Sequence, residues 1–543
     1  MRRTVIFAGE AGSGVDRTAL MFGRTLTDHG YSCFIYRDYA SLIRGGHNFS
    51  VVTFGSDPVN SHDNKADVIV ALGKEAVSRH KKDLLREGVL ITTGDYGDDR
   101  AVIAPGGSGR HLGNNSSLGM LAKMFGLDPK KAKKVLENEF GGISGTVATA
   151  FDAGYDLAEA SFPMRRGKAS VRMMDGGEAV ACAAIHMGVE AAFYYPMTPA
   201  TGAFSKLGPE YSGKTVKVIR TEDEIAAANA ALGASFAGAR VMTGSSGGGL
   251  ALMGEAISLA GMAELPLVVY AAQRMGPSTG VPTYTAQGDI KFILALGPGE
   301  FPKFVVVPGD AEEAYEMTAR AFYFAEKYRL PAFILSDKHI AESYFSVPKK
   351  PITDVPVARS IIKRAAKKDY RSYEMTSEGY SAMAIPGSGA VVRATSYEHD
   401  EYGFTTEDPK MITAMNDKRK RKSVALGKEA SKYLPIVSRG KGSKVIVLAG
   451  SVKGAVIDAL PFLNGWRAIQ IRHLEPFPKK EFLKAIKGAR EVVVIESNST
   501  GLLTDIIREK TGIEVKRNIL KYDGRPFTSD EVISAIKEKK KKR

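Results

Sequence analysis

Short apolar runs of about four to eight residues, each closed by glycine or a turn residue, alternate along the chain with longer stretches of helical periodicity, the pattern of an α/β protein. In the first part the runs are TVIFAG, YSCFIY, FSVVTFG, ADVIVALG and GVLITTG. The first of them passes through the turn GEAGSG into a helical stretch. These predict one α/β domain over residues 1–163, followed by the basic linker MRRGKAS. A second segment, opening at GGEAVACAAIHMGV, carries AAFYYP, KVIRT, ARVMTG, LPLVVYA, KFVVVPG and LPAFILS between Ala-rich helices. Six such strands predict a doubly wound parallel sheet over residues 170–346. From 347 to 440 strand signals thin out among Gly, Pro, charged and aromatic residues, which predicts an extended connector. KVIVLAG, RAIQIR and EVVVIES then predict a last compact α/β domain over 441–543.

Size and composition narrow this picture. A chain of 543 residues is too long for one core, and 44% hydrophobic with 25% charged residues is ordinary for a globular protein. No apolar run is long enough for a membrane span, and the N-terminus runs from strand into glycine turn without a signal peptide, so the cytoplasm is the expected location. The two cysteines, Cys33 and Cys182, lie in apolar patterns and are too few for a four-cysteine iron–sulfur cluster. The net charge of +15 is concentrated in KRKRK at Lys418 to Lys422 and in the terminal KEKKKKR. Both read as solvated, a linker and a tail. Neither zinc-finger spacing nor a basic helix interleaved with aromatics is present, which argues against nucleic acid.

Candidate chemistry lies where apolar strands end, the place an α/β sheet presents ligands. In Tyr195-Pro196-Met197-Thr198-Pro199 two prolines stiffen the loop around the Thr198 hydroxyl, which suits a substrate carboxylate or carbonyl or simply a rigid connection. Thr221-Glu222-Asp223-Glu224 opens an Ala-rich helix. Glu224 there is either the glutamate of a capping box or a carboxyl group whose protonation is set by burial. Gly247-Gly248-Gly249 permits close backbone approach to a flat ring or to a neighbouring helix. Gln273-Arg274-Met275-Gly276-Pro277-Ser278-Thr279-Gly280 offers a planar guanidinium and hydroxyls, a carboxylate clamp or a surface loop. The N-terminal turn with Gly9, Gly12 and Gly14 is spaced G-x-x-G-x-G, not the dinucleotide pattern, and Asp38 only loosely matches a ribose-binding acid. Phosphate at the following helix start remains sensible, and Arg44-Gly45-Gly46-His47 forms a second turn with a cation.

YPMTP, TEDEIAA, GSSGGG with ALM, QRMGPSTG, SYEHDEYGFTTEDP and ESNSTGLL, in this order, resemble the α subunit of 2-oxoacid:ferredoxin oxidoreductases, in the form with a γ domain fused at the N-terminus. The resemblance spans nearly the whole chain. It implies a γ-type α/β domain, a thiamine diphosphate pyrimidine-binding domain and a C-terminal domain like that of transketolase. The implied reaction converts a 2-oxoacid, coenzyme A and oxidised ferredoxin to acyl-coenzyme A, carbon dioxide and reduced ferredoxin. It further implies an αβ or (αβ)2 assembly, the β subunit supplying Mg2+ and a [4Fe-4S] cluster; a GDG motif and the necessary cysteines are missing here. Carried over, Glu224 is the catalytic glutamate at the pyrimidine ring. Gly247 and Gly248 approach the cofactor, and Tyr195, Thr198, Arg274, Ser278 and Thr279 meet substrate. Gly12, Gly14, Arg44 and Gly45 are candidates for coenzyme A or a subunit interface. YPMTP replaces YPITP, AGSG replaces GGQG, QRMGPSTG replaces QRGGPSTG, and Thr285-Ala286-Gln287 lacks the acid of the family's TEQ. The alternatives are an NAD(P)-dependent dehydrogenase using the N-terminal turn and a non-catalytic assembly paralogue.

Overall fold

The computed structural model describes the chain except residues 1, 42–44, 107–111, 143–144, 166, 209–212, 214, 351–352, 363–369 and 539–543. Every apolar run named above forms a strand. In the middle sheet the order from one edge is 473–475, 304–306, 331–337, 267–273, 241–245, 191–194 and 217–220. The six strands contributed by the middle segment run parallel. The edge strand His473–Glu475 comes from the last domain and is antiparallel. Both faces are buried. Ala192, Tyr194, Met242, Val268 and Tyr270 enter one apolar core, while their alternating neighbours Ala191, Phe193, Val241, Leu267 and Val269 enter another. All six parallel strands therefore end along one edge. That edge brings the segments after Tyr194, Ser245 and Gln273 together.

The first sheet is mixed. Arg2–Glu10 pairs antiparallel with His47–Gly55 and parallel with Ala66–Ala71. It also crosses the expected domain boundary, because Tyr344–Pro348 joins Ser32–Asp38 and then pairs with Val171–Asp175. Two of its eight strands thus come from the middle segment. The linker MRRGKAS is not free either: Ala169 N donates to the Gly30 carbonyl at 2.9 Å. A Cβ on Gly167 would lie 1.9 Å from that carbonyl oxygen, so only glycine permits this approach. The last sheet has the order 436–440, 466–471, 444–448, 491–496, 517–520, and its first strand belongs to the stretch read as connector.

The solvated-linker reading of KRKRK is wrong. The run lies inside a 22-residue helix, Pro409–Ala430, started by Asp408, whose carboxylate accepts from Lys410 N and Met411 N. Helical spacing turns Lys418 and Lys422 inward, where both are buried against the buried Glu264. Their Nζ atoms lie 2.5 and 2.8 Å from its two carboxylate oxygens. Arg329 Nε donates to the Glu264 carbonyl at 3.0 Å. Glu264 and Arg329 immediately precede the strands Leu267–Gln273 and Pro331–Asp337, so this ionic cluster closes the amino ends of the middle sheet. Burial alone would raise the Glu264 carboxyl; Lys422, Lys418 and Arg329 outweigh it and hold the group far below the usual carboxylate range. Charge pattern in the sequence carried no sign of this, because alternate members of a like-charged run face opposite sides of a helix.

Candidate active site

Three strand ends build the site. After Ala191–Tyr194 the chain turns through Tyr195 to Pro199, with Tyr195 exposed, Thr198 half-buried and the Thr198–Pro199 peptide cis. After Leu267–Gln273 comes Arg274, 9% exposed, whose Nη1 donates to the Thr198 carbonyl at 2.9 Å. This bond fixes one loop against the other and leaves the Thr198 hydroxyl uncommitted. Arg274 Nε is buried without a hydrogen-bond partner, an orphan donor of the kind a bound anion satisfies.

Glu224 lies between them. It is 3% exposed, at the first turn of the helix Glu224–Phe236. The capping box expected from T-x-x-E does not form: Asp223 is the N-cap, accepting from Ala226 N at 2.8 Å. Thr221 instead donates its hydroxyl to the Asp223 carbonyl at 2.8 Å. Released from capping, the Glu224 carboxylate accepts from the Ser245 hydroxyl at 2.9 Å. Gly249 makes room for it, since a Cβ there would lie 2.2 Å from both Glu224 Oε1 and Ser245 Oγ. A Cβ on Gly248 would meet nothing within 4 Å, so the glycine turn presents bare backbone beside the carboxylate.

Asp289 completes the cluster and was missed in the sequence. It occupies the cap position of the helix Ile290–Ala295 but makes no side-chain capping bond. Its backbone N donates to Gln273 Oε1 at 2.9 Å, and Gln273 Nε2 donates to the Ser336 carbonyl at 3.2 Å. The carboxylate lies near Gly247 and Arg274. Burial pushes the Asp289 carboxyl up and Arg274 opposes it. Burial likewise lowers the Arg274 guanidinium, against the pull of Asp289 and Glu224. An aspartate before an apolar run signals a helix cap, so QGDI gave no hint of another use. Ser245 and Gly249 lay within TGSSGGG, but which members faced Glu224 depends on register.

The remaining candidates divide. Ser278 and Thr279 are exposed on a turn closed by Val281 N donating to the Met275 carbonyl at 2.9 Å, outside the cluster. Gln287 belongs to a structural contact: its Nε2 donates to the Ala449 carbonyl at 2.8 Å and its Oε1 accepts from Ser497 N at 3.0 Å. ESNSTGLL therefore fastens this loop to the last domain. In the first domain Ala11 N donates to the Gly46 carbonyl at 3.0 Å, which brings the Gly12–Gly14 turn beside Gly45. Added side chains at Gly12 and Gly45 would meet only open space. Arg44 lies outside the described residues. Asp38 does not serve as a free ribose acid: it accepts from the hydroxyls of Tyr36 at 2.8 Å and Tyr284 at 3.2 Å and pairs with Arg525 at 3.2 Å. Among the described residues no helix is long and apolar enough to cross a membrane.

Two family descriptions match the chain. "Pyruvate flavodoxin/ferredoxin oxidoreductase, thiamine diP-bdg" covers residues 182–418, and "Pyruvate ferredoxin/flavodoxin oxidoreductase" covers 4–157. The chain is 30% identical to the 2-oxoacid:ferredoxin oxidoreductase subunit alpha of Saccharolobus solfataricus, over 99% of this chain and 98% of that protein. It is 32% identical to the 2-oxoglutarate synthase subunit KorA of Methanocaldococcus jannaschii, over 60% of this chain and 88% of that protein. The 2-oxoglutarate:ferredoxin oxidoreductase of Magnetococcus marinus, solved with 2-oxoglutarate, coenzyme A and succinyl-CoA bound, superposes with a TM-score of 0.88 at 28% identity, covering 99% of both chains. With full-length coverage at this identity, the chain belongs to the 2-oxoacid:ferredoxin oxidoreductase family, among its α subunits.

Proposed function

We propose that this chain supplies one half of a thiamine diphosphate site for the oxidative decarboxylation of a 2-oxoacid with coenzyme A. The observation that carries this is Glu224: a buried carboxylate freed from capping, oriented by one serine, and bordered by glycines that leave backbone bare. Such a group fits the pyrimidine ring of the cofactor, which when bound supplies the nucleophilic carbon and the electron sink for decarboxylation. Glu224 would hold the pyrimidine ring by a hydrogen bond, and Ser245 keeps its rotamer. Arg274, tied to Thr198 through one nitrogen, offers its remaining donors to the substrate carboxylate, with the Thr198 hydroxyl and Tyr195 beside it. Gly247 and Gly248 would border the cofactor, and Ser278 and Thr279, exposed outside the cluster, are the outlying candidates for substrate contact. The turns holding Gly12, Gly14 and Gly45 are the candidates to receive coenzyme A or to form a subunit interface.

A β subunit completes the site with Mg2+ and a [4Fe-4S] cluster, in an αβ or (αβ)2 cytoplasmic assembly that passes electrons to ferredoxin. The test is reconstitution. The purified chain alone should show no 2-oxoacid- and coenzyme A-dependent ferredoxin reduction. Activity should appear on adding the β subunit, thiamine diphosphate and magnesium. Full turnover by the isolated chain would overturn the half-site reading.

A further inference from the structure

The helix Pro409–Ala430 divides the KRKRK run. Lys418 and Lys422 turn inward to Glu264, and Arg419 pairs with Glu398. Lys420, with a side chain 75% exposed, is left on the outer flank. Val424 is one turn further on, 72% exposed, and Lys428 one turn beyond that, so Lys420, Val424 and Lys428 form a stripe at helical spacing. With Arg421, Lys432 and Lys327 they line a groove of about 790 Å3.

Its acids are already engaged. Glu429 accepts from Tyr323, Lys327 and Tyr328, each at 2.6 Å, and Glu378 hydrogen-bonds the Tyr380 hydroxyl. Asp417 lies 3.4 Å from Lys420. Lys428 and Lys432 have no ion-pair partner among the described residues, so the groove carries unbalanced positive charge around an exposed valine. Val424 is the exposed aliphatic side chain amid that charge. A second copy of this chain, with net charge +15, would bring more charge of the same sign.

We propose that this groove docks an acidic, amphipathic segment of another protein, its carboxylates on Lys420, Lys428 and Lys432 and an apolar side chain on Val424. The groove lies by Lys327 and Tyr328, ahead of the strand Pro331–Asp337, at the amino ends of the sheet and so opposite the cluster around Glu224. It is a contact beyond the catalytic half-site and does not depend on it.

The probe is a fluorescein-labelled synthetic helix of Glu with Leu at every third or fourth position, titrated with the full chain in fluorescence anisotropy. Poly-Glu and oligo-uridylate of equal length serve as comparisons. K420E/K428E should weaken the amphipathic peptide about tenfold or more and V424S about fivefold, as for a charged rim around an apolar anchor. K539E/K541E, with the same charge change in the tail, should stay within about twofold. Equal weakening by the groove and tail variants would overturn the proposal by reducing it to net charge. So would indifference to V424S with oligo-uridylate bound as tightly, which marks a polyanion surface. Self-association of the chain that K420E/K428E abolishes, without peptide binding, would overturn it too by assigning the groove to a second copy.

Discussion

The two ends of the middle sheet bury charge in opposite ways. At the amino ends Glu264 is enclosed by Lys418, Lys422 and the guanidinium of Arg329, each within reach of one of its polar atoms. At the carboxyl ends Glu224 has one hydroxyl partner, and Arg274 keeps a buried nitrogen without any. A charge-compensated ionic cluster holds elements together, although Glu264 Oε2 there also lacks a hydrogen bond of good geometry. An undercompensated cluster costs stability and is retained where a ligand completes it. The contrast separates structural from functional charge within one domain, where burial alone does not: Glu264 and Glu224 are both 3% exposed.

Substitutions at the two ends should therefore fail differently. Glu264→Gln leaves buried cations facing one another and should cost about 3–5 kcal/mol, read as a lower denaturation midpoint, with turnover per folded molecule retained. An unchanged midpoint would remove the distinction. Glu224→Gln should do the reverse, cutting turnover of the assembled enzyme about 100-fold with the midpoint preserved. Turnover near the parent level would exclude Glu224 from the chemistry. Gly249→Ala tests the same carboxylate through its surroundings; the added methyl displaces Glu224 and should cost about 30-fold in turnover. Arg274→Lys keeps the charge but loses the planar fork, and should raise KM for the 2-oxoacid about tenfold with a smaller change in kcat. Equal KM values for the two proteins would end its proposed role.

The same cluster should also show in a pH slope. Burial pushes the Lys422 ammonium down to about 7, against the pull of Glu264. An unfolded lysine keeps its proton up to about pH 10.4, so between about pH 7 and 10 the unfolded chain binds more protons than the folded one. Stability contributed at this site should rise with pH across that window, by at most about 1.4 kcal/mol per pH unit. Lys422→Met should flatten the rise in urea titrations at successive pH values; an undiminished slope would place its origin elsewhere.

Most strands were legible in the sequence because they are short apolar runs buried on both faces of a sheet, the largely exposed edge strand Lys217–Arg220 being an exception. The ordered motifs likewise led to the family. What failed was whatever depends on facing. Glu224 looked like a cap because T-x-x-E names residue types and spacing, yet Asp223, one position earlier, had the backbone geometry to do the capping. Asp289 escaped notice because it stands at a helix cap position, yet its side chain makes no capping bond. In KRKRK the charges are visible, but the partner Glu264 lies more than 150 residues away at a turn with a positive φ of 49°, beyond the reach of any local pattern.

The approach of Gly167 to the Gly30 carbonyl alters what the stretch between the first two segments is for. Because Val171–Asp175 and Tyr344–Pro348 extend the sheet begun by Arg2–Glu10, the polypeptide there acts as a seam and not a hinge. A cut in the backbone at this point would sever the covalent chain while leaving the hydrogen-bonded ladder intact on both sides. Strand pairing thus holds the two segments together alongside the covalent link. The orientation of the Gly12 and Gly45 turns relative to the Glu224 cluster is set by that ladder, independently of any flexible tether.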